Sequence, residues 1–436
     1  MKYEQYLDYE YSGIEWLGNV PKHWVTSRLA YTFTDNNAGE VIDKTFWGDG
    51  SEVLYTCNKT SLKSDYSTFP QQKRTSDRDL LLTRNGTPYV HLPVKNAIYS
   101  NVVQRITLAT GFDRRYLAFC LGNSALYLKG YGVSIESFNF DMWKSLSFSY
   151  PELEDQRIIV NFLDHETAKI DTLIDKQQQL IKLLKEKRQA VISHAVTKGL
   201  NPDVPMKDSG VEWLGEVPEH WDLKAIKYCV DSDSGIQMGP FGGMLKSLEA
   251  NPTGYKVFGQ ENTISGDFSK GSRWITAKRY SELENYHLSV GEIVLTRKGS
   301  LGNARLISQL NTKGIIDSDT IRVRVDQRTI MPGLLAFLLH SSSYVEEQIT
   351  RNRRGAILSG LNSETVANLK LLVPPIAEQR RLMTCLADIE QHFDEVLQKA
   401  NLAIDLLTEK RIALISAAVT GKIDVRNFKA GDTYAA

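Results

Sequence analysis

The residues of this chain best placed to do chemistry are polar side chains set in glycine turns beside basic clusters. Leu-Thr-Arg-Asn-Gly at 82–86 returns as Leu-Thr-Arg-Lys-Gly at 295–299. Each follows an apolar, strand-like run, 80–82 and 293–295, and leads into a glycine turn. An arginine fork can pair bidentately with guanine, and an asparagine or glutamine amide with adenine, whereas lysine and backbone N–H groups suit phosphate. Thr83, Arg84, Asn85 and Gly86, with Thr296, Arg297, Lys298 and Gly299, are therefore candidates for holding a nucleic acid. A motif common to two copies builds a fold or holds phosphate more readily than it specifies different bases, so all three roles stay open. Gln237, Gly239, Pro240, Phe241 and Gly242 form a second glycine-rich loop of the same character. Basic groups cluster at Lys59, Lys73 and Arg74 and again at Arg351, Arg353 and Arg354. These are phosphate contacts or a solvated face.

Other chemistries find no purchase. The chain lacks GxxxxGK[ST], GxGxxG after a strand, HExxH and GxSxG, the signatures of nucleotide, metal and nucleophile sites. Asn201-Pro202-Asp203-Val204 resembles an adenine methyltransferase box only superficially, without its second proline and aromatic, and reads as a turn. The 8 histidines are scattered, and His23 and His220 recur beside Trp24 and Trp221, which implies a packed corner. Cys57, Cys120, Cys229 and Cys385 are dispersed without a CxxC pair, so packed thiols are expected and neither a disulfide framework nor a zinc site. With 52 basic and 52 acidic residues the net charge is zero, which speaks against a phosphate ligand unless charge is segregated locally or partner subunits share the nucleic acid. No apolar run of about 18 residues exists, and the opening MKYEQYLDYEYSG is unlike a signal peptide, so a cytoplasmic location is expected.

These candidates sit in a tandem duplication. Residues 12–24, SGIEWLGNVPKHW, return at 209–221 as SGVEWLGEVPEHW, identical at ten of thirteen positions. Residues 154–197 align without gaps to 377–420 with 17 identities in 44. The first pair is offset by 197 residues and the second by 223, so the ends of each copy match while the middles have diverged. Those middles read as short strands and turns with helical pieces such as 116–128 and 333–350, giving mixed α+β domains. A length of 436 residues suits two domains of about 150 residues each and something extended.

The repeated 44-residue segments are long helices. In the first, Leu163, Ile170, Gln177, Leu184 and Val191 lie on a seven-residue grid, joined by Ile159, Leu173 and Leu180. In the second, Leu386, Phe393, Ala400, Leu407 and Leu414 form one seam position and Leu382, Ile389, Val396 and Ala403 the other. Proline precedes each helix (Pro151; Pro374, Pro375) and glycine follows (Gly199; Gly421), the expected start and stop signals. A rod of that length spans roughly 66 Å at 1.5 Å per residue, about two turns of B-DNA. Matching grids make an intramolecular coiled coil the economical pairing, with a bundle or homodimer as the alternative.

The paired heads at 13–24 and 210–221, the Leu-Thr-Arg turns, the Gly-Pro-Phe-Gly loop at 239–242 and the helix starts with Asp155-Gln156-Arg157 and Glu378-Gln379-Arg380 together resemble the specificity subunits of type I restriction-modification systems. The resemblance covers nearly the whole chain, although the first copy has no Gly-Pro-Phe-Gly loop, so no site role transfers there. It implies target-recognition domains at 1–150 and 201–374, spacer helices at 151–200 and 375–425 forming an antiparallel coiled coil, and a tail at 426–436. It further implies a pseudo-two-fold molecule on a bipartite, asymmetric double-stranded DNA target, one half-site per domain. Its partners would be two modification (methyltransferase) subunits and restriction/translocase subunits. S-adenosylmethionine, ATP and Mg would belong to those partners and catalysis would not reside in this chain.

Overall fold

A computed structural model describes residues 3–128, 139–231, 235–245, 254–297, 303–354 and 360–429, the side chains at 352–354 excepted. In the first copy the head motif forms a corner. β1 (Tyr9–Tyr11) pairs antiparallel with β2 (Asn19–Pro21) around a turn whose Gly13 and Gly18 have φ of 77° and 64°, the left-handed region that glycine enters without a Cβ clash. β3 (Val25–Arg28) leaves the corner to pair with β11 (Ser147–Tyr150), the last strand before the first long helix. Between them lies a four-stranded sheet, in order β4 (Phe33–Ala38), β10 (Val103–Leu108), β7 (Asp79–Thr83) and β8 (Val90–His91), beside a three-stranded sheet of β6 (Leu62–Ser64), β5 (Trp47–Tyr55) and β9 (Ile98–Tyr99). Asp-Leu-Leu-Leu-Thr of β7 is buried along its whole length. The period of two divides its leucines between two cores: Leu80 and Leu82 pack with α1 (Arg114–Ser124), and Leu81 with Leu54 and Tyr99. α1 begins where the Asp113 carboxylate accepts the N–H groups of Arg115 and Tyr116 at 2.9 and 3.0 Å. α2 (Phe140–Ser145) is capped in the same way by Asn139.

The second copy rebuilds this frame. After α3 (Leu153–Lys198) the corner returns as β12 (Met206–Asp208) with β13 (Glu216–Pro218), and β14 (Asp222–Ala225) pairs with β23 (Lys370–Val373). The main sheet runs β15 (Ile236–Met238), β22 (Thr320–Val323), β19 (Ile293–Thr296) and β20 (Ala304–Leu306). The second sheet runs β17 (Trp274–Ile275), β16 (Tyr255–Phe258), β21 (Gly314–Ile316) and β18 (His287–Leu288); α4 (Gln260–Ser265), which follows β16, lies against β19 and β20 of the main sheet, and α5 (Ala277–Glu282) follows β17. One strand pair is parallel in each copy, β5 with β9 and β16 with β21. α6 (Pro332–Ser341) takes the place of α1 and is followed by α7 (Ser343–Arg354). α8 (Ser363–Asn368), capped by Asn362, takes the place of α2 before β23 and α9 (Ile376–Val419). The duplicated frame thus extends upstream of 154 and 377, where the two sequences have drifted apart. Two α+β domains and two long helices are the expected fold class.

Compactness divides the chain at other places than the elements do. One unit is Met1–Gln178 with Asn401–Ala436, and the other is Gln179–Ala400. The physical reason is that each core takes in half of each long helix: Ile159, Leu163 and Ile170 lie with Leu414 and Ala418 in one, and Ile192 and Val196 with Leu382 and Leu386 in the other. Within each unit the halves run antiparallel. Arg411 bonds Asp171 at 2.8 Å in the first, and Arg188 bonds Asp394 at 2.7 Å and Glu390 at 3.1 Å in the second. Asp171 and Asp394 are equivalent, as are Arg188 and Arg411, so one ion pair is made twice with exchanged roles. Exposed pairs of this kind contribute at most about 1 kcal/mol each, so the apolar seam carries the association.

That seam corrects one expectation. Leu163, Ile170, Leu184 and Val191 are buried or half-buried as their grid requires, but Leu173 and Leu180 are 47% and 41% exposed, and Ile174 and Ile181 turn inward instead. Positions three and four residues beyond 170 flank the same stripe on opposite sides, and only the partner helix decides which side is covered. Both helices stop as expected, at Gly199 with φ of 80° and Gly421 with φ of 68°. Each stop is covered by a head motif: a Cβ on Gly421 would stand 2.3 Å from the Pro21 ring, and one on Gly199 3.3 Å from Trp221. The repeated heads and repeated glycines are therefore two halves of one lock, with each head seated on the other copy's helix end.

The Gln of the helix starts is a second lock. Gln156 is fully buried; its Oε1 accepts the Asp113 N–H at 2.9 Å, and its Nε2 donates to the carbonyls of Gly111 and Pro151 at 3.2 and 2.9 Å. Gln379 repeats this with Met331 N–H, Thr329 O and Pro374 O at 2.8, 3.0 and 2.8 Å. In both copies the amide ties the start of a long helix to the loop that begins α1 or α6.

Candidate nucleic-acid interface

The Leu-Thr-Arg turns build structure at their first two residues. Thr83 is buried; its hydroxyl donates to Thr87 O at 3.1 Å and accepts from Tyr89 N at 2.8 Å, and its carbonyl accepts the buried Trp143 indole at 2.8 Å. Thr296 is equally buried. The Thr83 side chain is therefore engaged in building its own turn, and Thr296 is enclosed at the equivalent place. Arg84, Asn85 and Gly86 follow, half-exposed at the turn, with Gly86 at φ of 76°. The Arg84 N–H donates to Val102 O, and the Arg297 N–H donates to Asp319 O in the same register. Lys298 and Gly299 lie outside the described residues.

Arg297 differs from Arg84 in what holds it. Its Nε donates to Leu361 O at 3.1 Å and its Nη1 to Ser318 O at 3.2 Å, and its guanidinium lies 5.6 Å from the centroid of the Phe241 ring. That contact is a cation–π platform under an aromatic ring that is itself 59% exposed. Gly239 precedes it, and a Cβ there would stand 1.7 Å from the Asp317 carbonyl, so only glycine fits. Gln237 lies on β15 opposite Arg322, its amide donating to Met238 O, and Gly242 opens a short 3₁₀ turn.

The basic clusters separate. Arg74 makes two bonds to Glu52, at 2.7 and 2.8 Å, and one to Asn96 O at 2.8 Å, with only 10% of its side chain exposed. It clamps strand to loop. The guanidinium holds the Glu52 carboxyl below the usual carboxylate range. Lys73 pairs with Glu40. Lys59 stands exposed on the turn after β5. Arg351 is exposed and pairs with Glu347 at 2.6 Å one helical turn back, while Arg353 and Arg354 end α7 with side chains outside those described.

Two features lay beyond reach of the linear sequence. The first is a buried arginine at the centre of each main sheet: Arg105, opposite Leu81 and Asn37, and Arg322, opposite Val294 and Gln237. Arg105 meets Asp35 at 2.5 Å and Asp79 at 3.9 Å, and Arg322 meets Glu292 at 3.8 Å and donates to His287 O at 2.6 Å. Burial lowers the pKa of Arg322 from its ordinary value. The second follows from the same registers, because if Asn37 stands where Gln237 stands, then Gly39 stands where Gly239 does. Gly39 N donates to Val103 O at 3.2 Å and Gly239 N to Thr320 O at 3.0 Å, and a Cβ on Gly39 would stand 2.3 Å from the carbonyls of Tyr99 and Ser100. The first copy does have a counterpart of the glycine loop, as Gly39-Glu40-Val41-Ile42, with the glycine kept and the rest exchanged.

Of the groups suited to proton or metal chemistry, His91 and Cys120 are enclosed, whereas His23 and His220 are exposed and Cys57, expected as a packed thiol, stands in solvent. Burial takes His91 down to about 4, against an opposing bond to Thr56 O, so its imidazole is neutral near pH 7. Burial also pushes the Cys120 thiol up to about 12. Among the described residues no group of three or more His, Cys, Asp and Glu side chains is arranged to hold a metal ion, and no helix is long and apolar enough to cross a membrane.

No protein-family model matches the chain. Its sequence relatives include the type I restriction enzyme MjaVIII specificity subunit of Methanocaldococcus jannaschii, 23% identical over 361 residues that cover 81% of this chain and 80% of that one. The StySPI specificity subunit of Salmonella potsdam is 24% identical over 300 residues, 66% of this chain and 60% of the relative. The EcoKI specificity subunit of Escherichia coli is 20% identical over 319 residues, 72% and 66% respectively, so the chain spans about two thirds of these last two. Among solved structures, a chain of a type I R-M system studied for its complex assembly and conformational transition matches with a TM-score of 0.65 at 14% identity, over 92% of this chain and 98% of that one. The HsdS subunit from Thermoanaerobacter tengcongensis matches with a TM-score of 0.50 at 16% identity, over the same shares. Sequence relatives and structural neighbours converge, and the chain is a homologue of the specificity subunits of type I restriction-modification systems.

Proposed function

We propose that this chain reads a bipartite, asymmetric double-stranded DNA target, one half-site per recognition domain, for a type I restriction-modification complex whose chemistry resides in other subunits. Modification subunits would carry S-adenosylmethionine and methylate adenine, flipping the base out of the duplex; restriction/translocase subunits would use ATP and Mg. This chain would position the DNA, with the unread gap between half-sites set by the length of the helices.

The observation that carries this reading is what the duplication keeps on its surface and what it lets go. In residues 182–190 and their equivalents 405–413, Leu183/Leu406, Glu186/Glu409, Lys187/Lys410 and Ala190/Ala413 are identical and exposed in both copies. Their spacing of three, four and seven residues places them on one helix face. Exposed positions on the next face, 182/405, 185/408 and 189/412, have all changed. The leucines are 61% and 56% exposed, so packing within the chain does not explain their retention. Two identical outer faces suit two copies of one partner, while the diverged loops of the recognition domains suit two different half-sites.

Methylome sequencing of cells expressing the chain with its modification subunit, against cells lacking it, tests the reading. A new methyladenine in a split, asymmetric motif is the expected result, and an assembled complex without any new motif would refute it in favour of a scaffold that never reads DNA. Four residues inserted in α3 should change the gap and leave both half-sites intact. Leu183→Glu and Leu406→Glu should each lower the bound modification subunits from two to one, measured by native mass spectrometry.

A further inference from the structure

We propose that the loops 39–42 and 239–242 are equivalent base-reading loops, and that Val41 and Phe241, their exposed apolar tips, each contact a base in their own domain's half-site. This rests on the reading above, that the two domains recognise double-stranded DNA.

Three observations converge on these two side chains. Each loop is anchored at the same point of the same sheet, by the Gly39 N–H on Val103 O and the Gly239 N–H on Thr320 O, and each anchor admits only glycine because a backbone carbonyl occupies the space of a Cβ. Two residues beyond each anchor the chain presents an apolar side chain to solvent, Val41 at 77% exposure and Phe241 at 59%. The fold gains little from an exposed valine or phenylalanine. A basic side chain attends each tip: Lys73 is paired to Glu40 beside Val41, and Arg297 lies under the Phe241 ring, fixed by the carbonyls of Leu361 and Ser318. Arg297 is accordingly a positioning residue, holding the ring at one angle.

The chemistry of the tips names their ligand. Apolar side chains read base edges in the major groove through the thymine methyl, the one apolar group displayed there. The anchors are retained and the tips exchanged, valine for phenylalanine, which is what two domains need if they are to use one frame on two different half-sites.

The test uses the full chain assembled with its modification subunit, as wild type, Val41→Ser, Phe241→Ala, and Tyr228→Ala, an exposed aromatic on the 3₁₀ turn Ile226–Tyr228 outside both loops. Methylomes are read first, and then binding to target duplexes in which each thymine of the motif is replaced in turn by uracil, which lacks only the methyl. Loss of one buried methyl group should weaken wild-type binding about fourfold at one position of each half-site. Val41→Ser should abolish that uracil sensitivity, and relax base choice, in one half-site only; Phe241→Ala should do so in the other, and Tyr228→Ala in neither. Uracil sensitivity unchanged in both variants, or binding weakened equally at every site without half-site bias, overturns the proposal. Wild-type complex that methylates no split motif overturns the underlying reading instead, and does so before any variant is made.

Discussion

Gln156→Leu and Gln379→Leu would remove one amide each and with it three bonds to the backbone, at Asp113 N, Gly111 O and Pro151 O in one case and Met331 N, Thr329 O and Pro374 O in the other; Pro151 O and Pro374 O are the fully buried partners, and the others lie nearer the surface. A buried group left unpaired costs about 1–3 kcal/mol, and the leucine recovers part of this through burial. With one buried group orphaned and two half-exposed ones weakened, the net loss is about 2–4 kcal/mol, a large share of the 5–15 kcal/mol that typical domains possess. For a unit of about 200 residues this lowers the midpoint by roughly 10 °C. Urea unfolding of the full chain gives the size, and hydrogen exchange gives the place: the Asp113 amide should lose protection in Gln156→Leu, and the Met331 amide in Gln379→Leu. Gln156→Glu sharpens the test, because its carboxylate keeps the acceptor but faces two carbonyl oxygens. Its folded-state pKa is then raised, so the variant is destabilised at neutral pH and regains stability as the pH falls through that raised value and the protonated acid can donate. A Gln156→Leu variant within about 1 kcal/mol of wild type and with unchanged exchange at Asp113 would refute the assignment of these amides as locks.

Further outcomes follow from single contacts. Glu52→Gln should cost about 1 kcal/mol near pH 7 by removing the two-pronged bond to Arg74; because the Glu52 pKa is depressed in the folded state, the wild-type advantage is present above the unfolded value and disappears as the pH falls through the folded one, read by urea midpoints from pH 7 downward. Gly239→Ala forces a Cβ against the Asp317 carbonyl and should destabilise its domain by about 2–3 kcal/mol, whereas Gly86→Ala, with open space around it, pays only for its positive φ, about 1 kcal/mol; thermal unfolding separates the two. Trp143→Phe should cost about 1–2 kcal/mol by orphaning Thr83 O, seen as faster hydrogen exchange in the 83–89 turn.

Much of the architecture was legible in the linear sequence because it depends on local rules repeated twice. The duplicated heads, the helices with their proline starts and glycine stops, and the α+β character of the middles all follow from periodicity and turn chemistry, and Gly199 and Gly421 have the left-handed φ that those stops imply. The site was legible only in outline. For Thr83 and Arg74 a sequence cannot show that a threonine hydroxyl is spent on its own turn or that an arginine fork is spent on Glu52, since the first depends on the conformation the turn adopts and the second on packing between segments.

The sequence by itself determined that the chain is built twice from one plan, and that its two long helices must cover an apolar stripe. Tertiary structure alone decided which side of the stripe is covered, turning Ile174 inward and leaving Leu173 in solvent, because positions three and four residues on are equivalent until a partner helix breaks the tie. It also decided that each head seats on the other copy's glycine stop, and that Gly39 and Gly239 hold equivalent places in their own sheets. Those relations are fixed by strand register and by contacts between segments that lie outside any local window, and no local pattern records them.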